Sequence, residues 1–181
     1  MAVWIVLLRG VNVSGAGKLP MAEFRTMLAG LGLGRVETYI QSGNAVFDSD
    51  LTAPELEVLI QGGVAARFGF APECFVLSAE EIEAALLDHP FAGAEGNRVH
   101  VTFLRETPTP DEASLRVLAQ PGDGWHIGLR RFTLHTPGGY GVSKLAEKLP
   151  RLLSAPMTAR NLNTVAALVA MVRARVFSDF A

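Results

Sequence analysis

Three polar segments of the 181-residue chain combine glycine or asparagine with a cationic side chain, and each precedes a predicted helix. They are Arg9–Lys18, Gly138–Lys144 and Thr158–Thr164. Backbone N–H groups at the start of a helix lack helical partners, and the helix dipole favours negative charge there. Segments of this kind therefore suit the binding of a phosphate or carboxylate group.

The first segment resembles a nucleotide phosphate loop but departs from its pattern. The Walker motif has four residues between its glycines and a Ser or Thr after the Lys. Here six residues separate Gly10 from Gly17, and Leu19 follows Lys18, so the usual Mg²⁺ ligand is missing. The segment is interpreted either as a general anion cradle or as a plain glycine-rich turn. Its candidate ligand-binding residues are Arg9, Asn12 and Lys18.

The second segment places Ser143 in the N-cap position of a helix and Lys144 in its first turn. A Lys in the first turn opposes the helix dipole unless an anion or an acidic side chain compensates it. Ser143 and Lys144 are therefore candidate ligand-binding residues. They are not supported as a nucleophile and base, because adjacent residues of a helix do not face each other.

The third segment brings Arg160 and Asn161 next to the predicted start of the last helix. The planar guanidinium fork of Arg suits phosphate and carboxylate groups. Asn163 or Thr164 is expected to cap that helix, so capping alone is the alternative interpretation of this segment. Arg160, Asn161 and Asn163 are kept as candidate binding residues.

A fourth polar cluster lies at a predicted tight hairpin, in which two strands are joined across Ser42-Gly43. It is interpreted either as a solvent-exposed tip or as a lip over the first segment. Its members are Tyr39, Gln41, Ser42 and Asn44.

Hydrophobic patterning predicts the order β-α-β-β-α-β in the first half of the chain, which is typical of a ferredoxin-like fold. The predicted strands are 3–8, 36–41, 45–48 and 73–77, and helices follow Pro20 and Pro54. The second half repeats the order through strands at 98–104, 125–129 and 132–135 and helices at 111–119 and near Ser143. No strand is predicted after that helix. A last helix is expected to bury Val165, Leu168, Val172 and Val176.

These elements predict an α+β fold class with two ferredoxin-like subdomains, the second carrying an extra C-terminal helix. The predicted boundaries are 1–77 for the first subdomain, 78–97 for a linking helix and joint, and 98–181 for the second.

Composition limits the classes of partner. Hydrophobic residues make up 49% of the chain and the net charge is −2, which indicates a globular protein and disfavours a general nucleic-acid binder. Residues 124–181 contain eight basic and two acidic residues, a net charge of +6, so RNA remains an alternative partner. Cys74 is the single cysteine and is expected to be buried, and the four histidines show no metal-ligand spacing. The cytoplasm is the expected location, and no membrane partner or metal is expected.

Four motifs in order resemble one uncharacterised bacterial family, the domain of unknown function 1697 family. They are Leu7-Leu-Arg-Gly-Val-Asn-Val13, Thr38-Tyr-Ile-Gln-Ser-Gly-Asn44, Gly141-Val-Ser-Lys-Leu145 and Thr158-Ala-Arg-Asn-Leu-Asn-Thr164. The resemblance implies a two-subdomain α+β fold with ferredoxin-like halves and implies no activity. The chain departs from the family pattern at Ser14-Gly-Ala-Gly17 and at Leu162, where an aromatic residue is common.

The leading functional expectation is the binding of a small phosphate-containing anion, such as a nucleotide, by the polar segments together. One alternative is an enzyme of unknown reaction that uses Lys144 or Tyr39 as an acid or base. Another is an RNA-binding or homo-oligomeric interaction module. The sequence assigns no cofactor and no catalytic residue.

Overall fold

A computed structural model describes the backbone of residues 1–178 and the side chains of residues 1–175. The chain forms two compact units. The first comprises Met1–Glu83 and the C-terminal helix from Leu168 onward, and the second is Ala84–Ala167. The predicted second subdomain, residues 98–181, includes the whole last helix. In the structure, Arg175 of that helix bonds to Asp48 in the first unit.

The first unit contains a four-stranded antiparallel sheet in the order β2-β3-β1-β4. Its strands are β1 (Ala2–Leu8), β2 (Gly34–Tyr39), β3 (Asn44–Ser49) and β4 (Cys74–Ser78). The helices α1 (Met21–Gly30) and α2 (Ala53–Phe68) connect them, and α3 (Ala79–Leu87) follows β4. The order β-α-β-β-α-β and the antiparallel pairing make this unit ferredoxin-like.

Both faces of the central strands β1 and β3 are buried. Val6, Leu8 and Phe47 belong to the apolar core that includes residues of α1 and α2. The alternate residues Ile5 and Val46 point to the opposite face, because side chains alternate along a strand, and they are also 0% exposed. The continuous apolar run of β1 reflects this burial on two sides.

The two helices on the sheet have local signals that fix their ends and their packing. α2 starts with a capping box in which the Thr52 amide donates to Glu55 Oε2 at 2.8 Å. A Cβ atom on Gly63 would lie 3.0 Å from Leu31 of the segment after α1. The glycine therefore permits close packing of α2 against this region.

The second unit repeats the same sheet, in the order β6-β7-β5-β8. Its elements are β5 (Val99–Leu104), α4 (Glu112–Leu118), β6 (Gly124–Gly128), β7 (Arg131–His135), α5 (Lys144–Leu153) and β8 (Met157–Asn161). The final helix α6 (Leu162–Ser178) begins directly after β8. The α+β class with two ferredoxin-like subdomains is therefore confirmed.

Strand β8 corrects the prediction that no strand follows α5. It pairs antiparallel with β5, and Val101 lies opposite Arg160. The segment contains the polar residues Thr158, Arg160 and Asn161, and its only apolar residues are Met157 and Ala159, so its apolar alternation is too short to predict a strand. Pairing with a buried neighbour strand overrides that weak local preference.

The hairpin at β2 and β3 also differs in detail from its prediction. Its turn has four residues, Ile40–Gly43, instead of the two of a tight Ser-Gly link. Ile40 and Gly43 both take positive φ angles, of 47° and 77°.

The predicted burial of Val165, Leu168 and Val172 in the last helix is confirmed, whereas the side chain of Val176 lies outside the described residues.

Candidate functional site

The loop between β1 and α1 is closed at its base by contacts between its two ends, which we call the neck (9–12 and 17–18). The Asn12 amide donates to the Gly17 carbonyl at 3.0 Å. A Cβ atom on Gly17 would lie 2.9 Å from the Gly10 carbonyl oxygen, closer than side-chain carbons approach such atoms, and the φ of Gly17 is +59°. The neck therefore requires glycine at position 17.

The side chain of Asn12 joins the neck to the turn between β2 and β3. Its Nδ2 donates to the carbonyls of Leu19 and Gln41, both at 2.8 Å, and its Oδ1 accepts from the Leu19 amide at 2.8 Å. Asn12 itself has a φ of 54°, a conformation that Asn tolerates better than most residues. Its amide group thus holds the protein backbone in place.

Two exposed cations leave the neck, one from each of its sides. Arg9 precedes Gly10 and Lys18 follows Gly17, so the backbone contact between the two glycines brings both starting points together. Neither side chain forms an ion pair or hydrogen bond with another residue in the part of the chain that the structure describes. Arg9 is fixed by its backbone, because its amide donates to the Glu73 carbonyl at 2.9 Å.

The β2–β3 turn packs directly against this loop. A Cβ atom on Gly43 would lie 2.6 Å from Val11 and 2.9 Å from Leu8, so only glycine fits at this position. The Leu8 amide donates to the Gly43 carbonyl at 2.9 Å. The structure therefore brings the first and the fourth predicted clusters together.

The four predicted residues at the β2–β3 hairpin differ in their exposure. Asn44 is 0% exposed, and its Nδ2 donates to the Tyr39 carbonyl at 3.1 Å and to Ser42 Oγ at 2.8 Å. Asn44 therefore stabilises the turn from inside. Tyr39 and Ser42 are half-buried, and Gln41 is exposed.

In the second unit, Ser143 caps α5 as predicted. Its Oγ accepts from the Ala146 amide at 3.1 Å. Lys144 is exposed at the first position of the helix. The Glu147 carboxyl accepts from Lys148 at 2.6 Å, which lowers its pKa, and the charge of Lys144 lowers that pKa by a smaller amount. The direct partner of Glu147 is therefore Lys148.

The third predicted segment is mainly structural. Arg160 is 8% exposed, and its NH1 donates to Thr158 Oγ1 and to the Ala159 carbonyl, both at 2.8 Å. Burial lowers the pKa of its guanidinium to about 10, so the group is charged at neutral pH. Asn161 caps α6 by accepting from the Thr164 amide at 2.9 Å, which corrects the prediction that Asn163 or Thr164 is the cap. Asn163 is exposed, and its Oδ1 lies close to Gly96.

The twelve predicted residues divide between the two units. The first unit holds Arg9, Asn12, Lys18, Tyr39, Gln41, Ser42 and Asn44, and the second holds Ser143, Lys144, Arg160, Asn161 and Asn163. A single site shared by all of these residues stays a prediction.

The second unit also contains an aromatic pair that the sequence analysis did not identify. His100 of β5 stacks on Tyr140, with 3.8 Å between ring centroids and 20° between planes. Burial lowers the pKa of His100 to about 4, which keeps the imidazole neutral at physiological pH. A Cβ atom on Gly139, the neighbour of Tyr140, would lie 2.8 Å from an Arg98 guanidinium nitrogen, so the Arg98 side chain would have to shift to admit it. The alternation of apolar and polar residues at 98–104 predicted the strand that contains His100, but nothing in the sequence indicated the stacking on Tyr140.

The residues that the structure describes contain no group of three or more His, Cys, Asp or Glu side chains that is arranged to hold a metal ion. Among residues 1–178, no helix has both the length and the apolar composition needed to cross a membrane. Cys74 is buried in β4, as predicted.

Comparisons with known proteins agree with the fold. The chain is similar over 96% of its length to a solved structure described as the conserved bacterial protein SP0830 from Streptococcus pneumoniae. The two share 28% sequence identity with a TM-score of 0.71, and 99% of that chain is covered. A comparison with curated proteins finds no match. The family described as "Protein of unknown function (DUF1697)" matches residues 1–131, which is most of the chain. The chain therefore belongs to the DUF1697 family.

Proposed function

We propose that the first unit binds a small phosphate-bearing anion, such as a nucleotide, at the neck and the adjoining β2–β3 turn. The observation that carries the proposal is the pair of exposed cations, Arg9 and Lys18, that start from one closed neck and have no side-chain partner among the residues that the structure describes. Two cationic side chains that start from adjoining backbone positions suit a group with several anionic oxygens.

The rigidity of the neck supports binding because less conformational freedom is lost when a ligand arrives. Asn12 and Gly43 fix the loop against the turn, and Gly17 permits the closed neck. The helix α1 begins close behind the neck, and its N-cap residue Pro20 provides no side-chain hydrogen bond. The positive end of its dipole adds to the potential of the two cations.

The cations of the second unit are less suited to an external anion. The charge of Lys144 is partly offset by the Glu147 carboxylate, and the guanidinium of Arg160 is buried among protein acceptors. We therefore assign the proposed anion binding to the first unit.

The RNA-binding alternative receives less support from the same unit. Single-stranded RNA is commonly read by aromatic side chains on an open sheet face. Ile5 and Val46 on one face and Val6 and Phe47 on the other are all 0% exposed, so β1 and β3 offer no stacking surface.

The test is a thermal-unfolding and calorimetric titration of the full chain with inorganic phosphate, adenosine monophosphate and adenosine diphosphate. A ligand that binds the folded state must raise the melting temperature. The variants Arg9→Gln and Lys18→Gln should each weaken binding about tenfold, since a hydrogen bond to a charged group contributes about 1.5–3 kcal/mol.

The matched control is Arg151→Gln, which removes one exposed positive charge from α5 in the second unit. It should leave the affinity unchanged. The proposal is wrong if none of the three anions binds, or if Arg151→Gln weakens binding as much as Lys18→Gln does.

A further inference from the structure

A cavity of about 440 Å³ lies in the first unit, away from the residues of the neck. Its walls are formed by Arg35 and Glu37 of β2 and by Ala170, Met171, Ala174 and Arg175 of α6. This volume falls within the range of about 300–1,000 Å³ that is usual for small-molecule sites.

A buried cation forms one wall of the cavity. Arg175 is 4% exposed, and its guanidinium donates to Asp48 Oδ1 at 3.2 Å, to Glu37 Oε1 at 2.7 Å and to the Val46 carbonyl at 3.1 Å. An apolar anchor of similar volume would hold the helix at a lower desolvation cost. The ion network instead fixes the Glu37 carboxylate at the rim of the cavity.

The backbone of β2 is distorted at the same place. The pairing of β2 with β3 shifts register between Gly34 and Glu37, and Arg35 has a φ of 44°. Bulges of this kind redirect side chains, and non-glycine residues with positive φ are concentrated at functional sites. The distortion places the Arg35 guanidinium, 43% exposed and paired with Asp48, at the rim beside Glu37, whose side chain is 58% exposed.

The remaining wall is apolar and shallow. Ala170 and Ala174 are one helical turn apart and present small side chains, and Met171 adds a flexible apolar surface between them. The cavity thus combines an apolar wall with a rim of both charge signs. Two cations, Arg35 and Arg175, balance two carboxylates, Asp48 and Glu37, so the site does not favour an anion over a cation.

We propose that this cavity binds a zwitterion with an aliphatic side chain, that is, a free aliphatic α-amino acid. Its carboxylate lies toward Arg35 and its ammonium group toward Glu37, while the aliphatic chain packs along Ala170, Met171 and Ala174. Charges of both signs on one rim match the adjacent charges of an α-amino acid. This inference is independent of the anion site at the neck.

The experiment is a calorimetric and NMR titration of the full chain with L-leucine, leucinamide and N-acetyl-leucine. L-leucine should bind saturably with chemical-shift changes at Glu37 and Ala174. Leucinamide, which lacks the carboxylate, and N-acetyl-leucine, which lacks the ammonium group, should each bind at least about tenfold more weakly, because each loses one of the two charge–charge contacts that L-leucine makes with the rim. The inference is overturned if L-leucine does not bind or if either blocked compound binds equally well.

Two variants locate the site. Ala174→Leu fills the cavity without altering a charge, and Glu37→Gln removes the rim carboxylate charge while keeping its shape. Each should weaken L-leucine binding at least about tenfold. Ala66→Leu, at an exposed position of α2, is the matched control and should bind like the wild type. Undiminished binding by a folded Ala174→Leu variant would overturn the assignment of the cavity.

Discussion

The carbonyl oxygen of Gly10 lies 2.9 Å from the point that a Cβ atom on Gly17 would occupy. This close approach joins the two ends of the loop that carries Arg9 and Lys18. The position of both cations therefore depends on the absence of a side chain at position 17.

Replacing Gly17 with alanine should open the neck and destabilise the protein. The methyl group meets the Gly10 carbonyl, and the φ of +59° costs an L-residue about 1–2 kcal/mol even without the clash. We expect the free energy of unfolding, measured by urea denaturation, to fall by about 2 kcal/mol. Phosphate binding should weaken in parallel.

The control for this substitution is Gly62→Ala in the interior of α2. Gly62 is exposed, and no atom lies within 4 Å of its added Cβ position. Alanine there should raise the free energy of unfolding by about 0.5–1 kcal/mol, because it is the better helix former. Equal effects of the two substitutions would contradict the closed neck.

Replacing Asn12 with glycine should loosen the loop while preserving the positive φ. The variant loses three hydrogen bonds of 2.8 Å to the backbones of Leu19 and Gln41. Because the site is partly exposed to water, we expect a loss of about 1–2 kcal/mol in the free energy of unfolding. Hydrogen exchange of the Leu19 amide should accelerate more than that of Val6 in the sheet. Unchanged exchange at Leu19 would show that the Asn12 side chain does not fix the loop.

Much of the fold follows from the sequence because its signals are local. The apolar run of β1, Pro54 at the start of α2 and the cap at Ser143 each act within a few residues. Strand β8 was missed because its polar residues are held by pairing with β5, which lies more than fifty residues away in the chain. A strand that depends on such pairing carries little local signature.

The candidate site and the cavity likewise differ in whether a local sequence signal predicts their residues. Arg9, Asn12 and Lys18 were identified from a glycine-rich segment that precedes a helix, and the structure brings Asn12 to the turn of Gln41. The cavity at Arg175 was not predicted, because its partner Asp48 is 127 positions away. Ion networks that join distant segments leave no spacing pattern in a single sequence.

Replacing Arg175 with methionine should strongly destabilise the first unit. The substitution leaves Asp48, with a side chain 6% exposed, without the guanidinium of Arg175. Removal of one partner of a buried pair typically costs about 3–5 kcal/mol. The neighbouring Arg173→Met removes an exposed pair with Glu83 and should cost at most about 1 kcal/mol. Similar losses for the two variants, in urea denaturation, would contradict the role of the buried network.

The stability of the protein should fall as the pH is lowered through the range in which His100 titrates. Burial lowers the pKa of His100 to about 4 in the folded state, against 6.5 for an unperturbed imidazole. Between these values the unfolded state binds a proton that the folded state does not bind, so acid favours unfolding. The contribution of His100 is complete above about pH 6.5 and is lost progressively toward pH 4.

The check for this prediction is urea denaturation between pH 4 and 7 for the wild type and for His100→Gln. Burial also lowers the pKa of His89, so part of the pH dependence remains in the variant. The free energy of unfolding of His100→Gln should decline less steeply with acid than that of the wild type. An identical decline would show that His100 is not held in its neutral form.

The most direct test of the central claim is an NMR titration of the full chain with inorganic phosphate and adenosine monophosphate, followed at the backbone amides. We expect saturable shifts centred on Gly10, Asn12, Gly17 and Lys18, about tenfold weaker affinity in Lys18→Gln, and no such loss in Arg151→Gln. Shifts that are absent from the neck, or that are equally strong in Lys18→Gln, would contradict this claim.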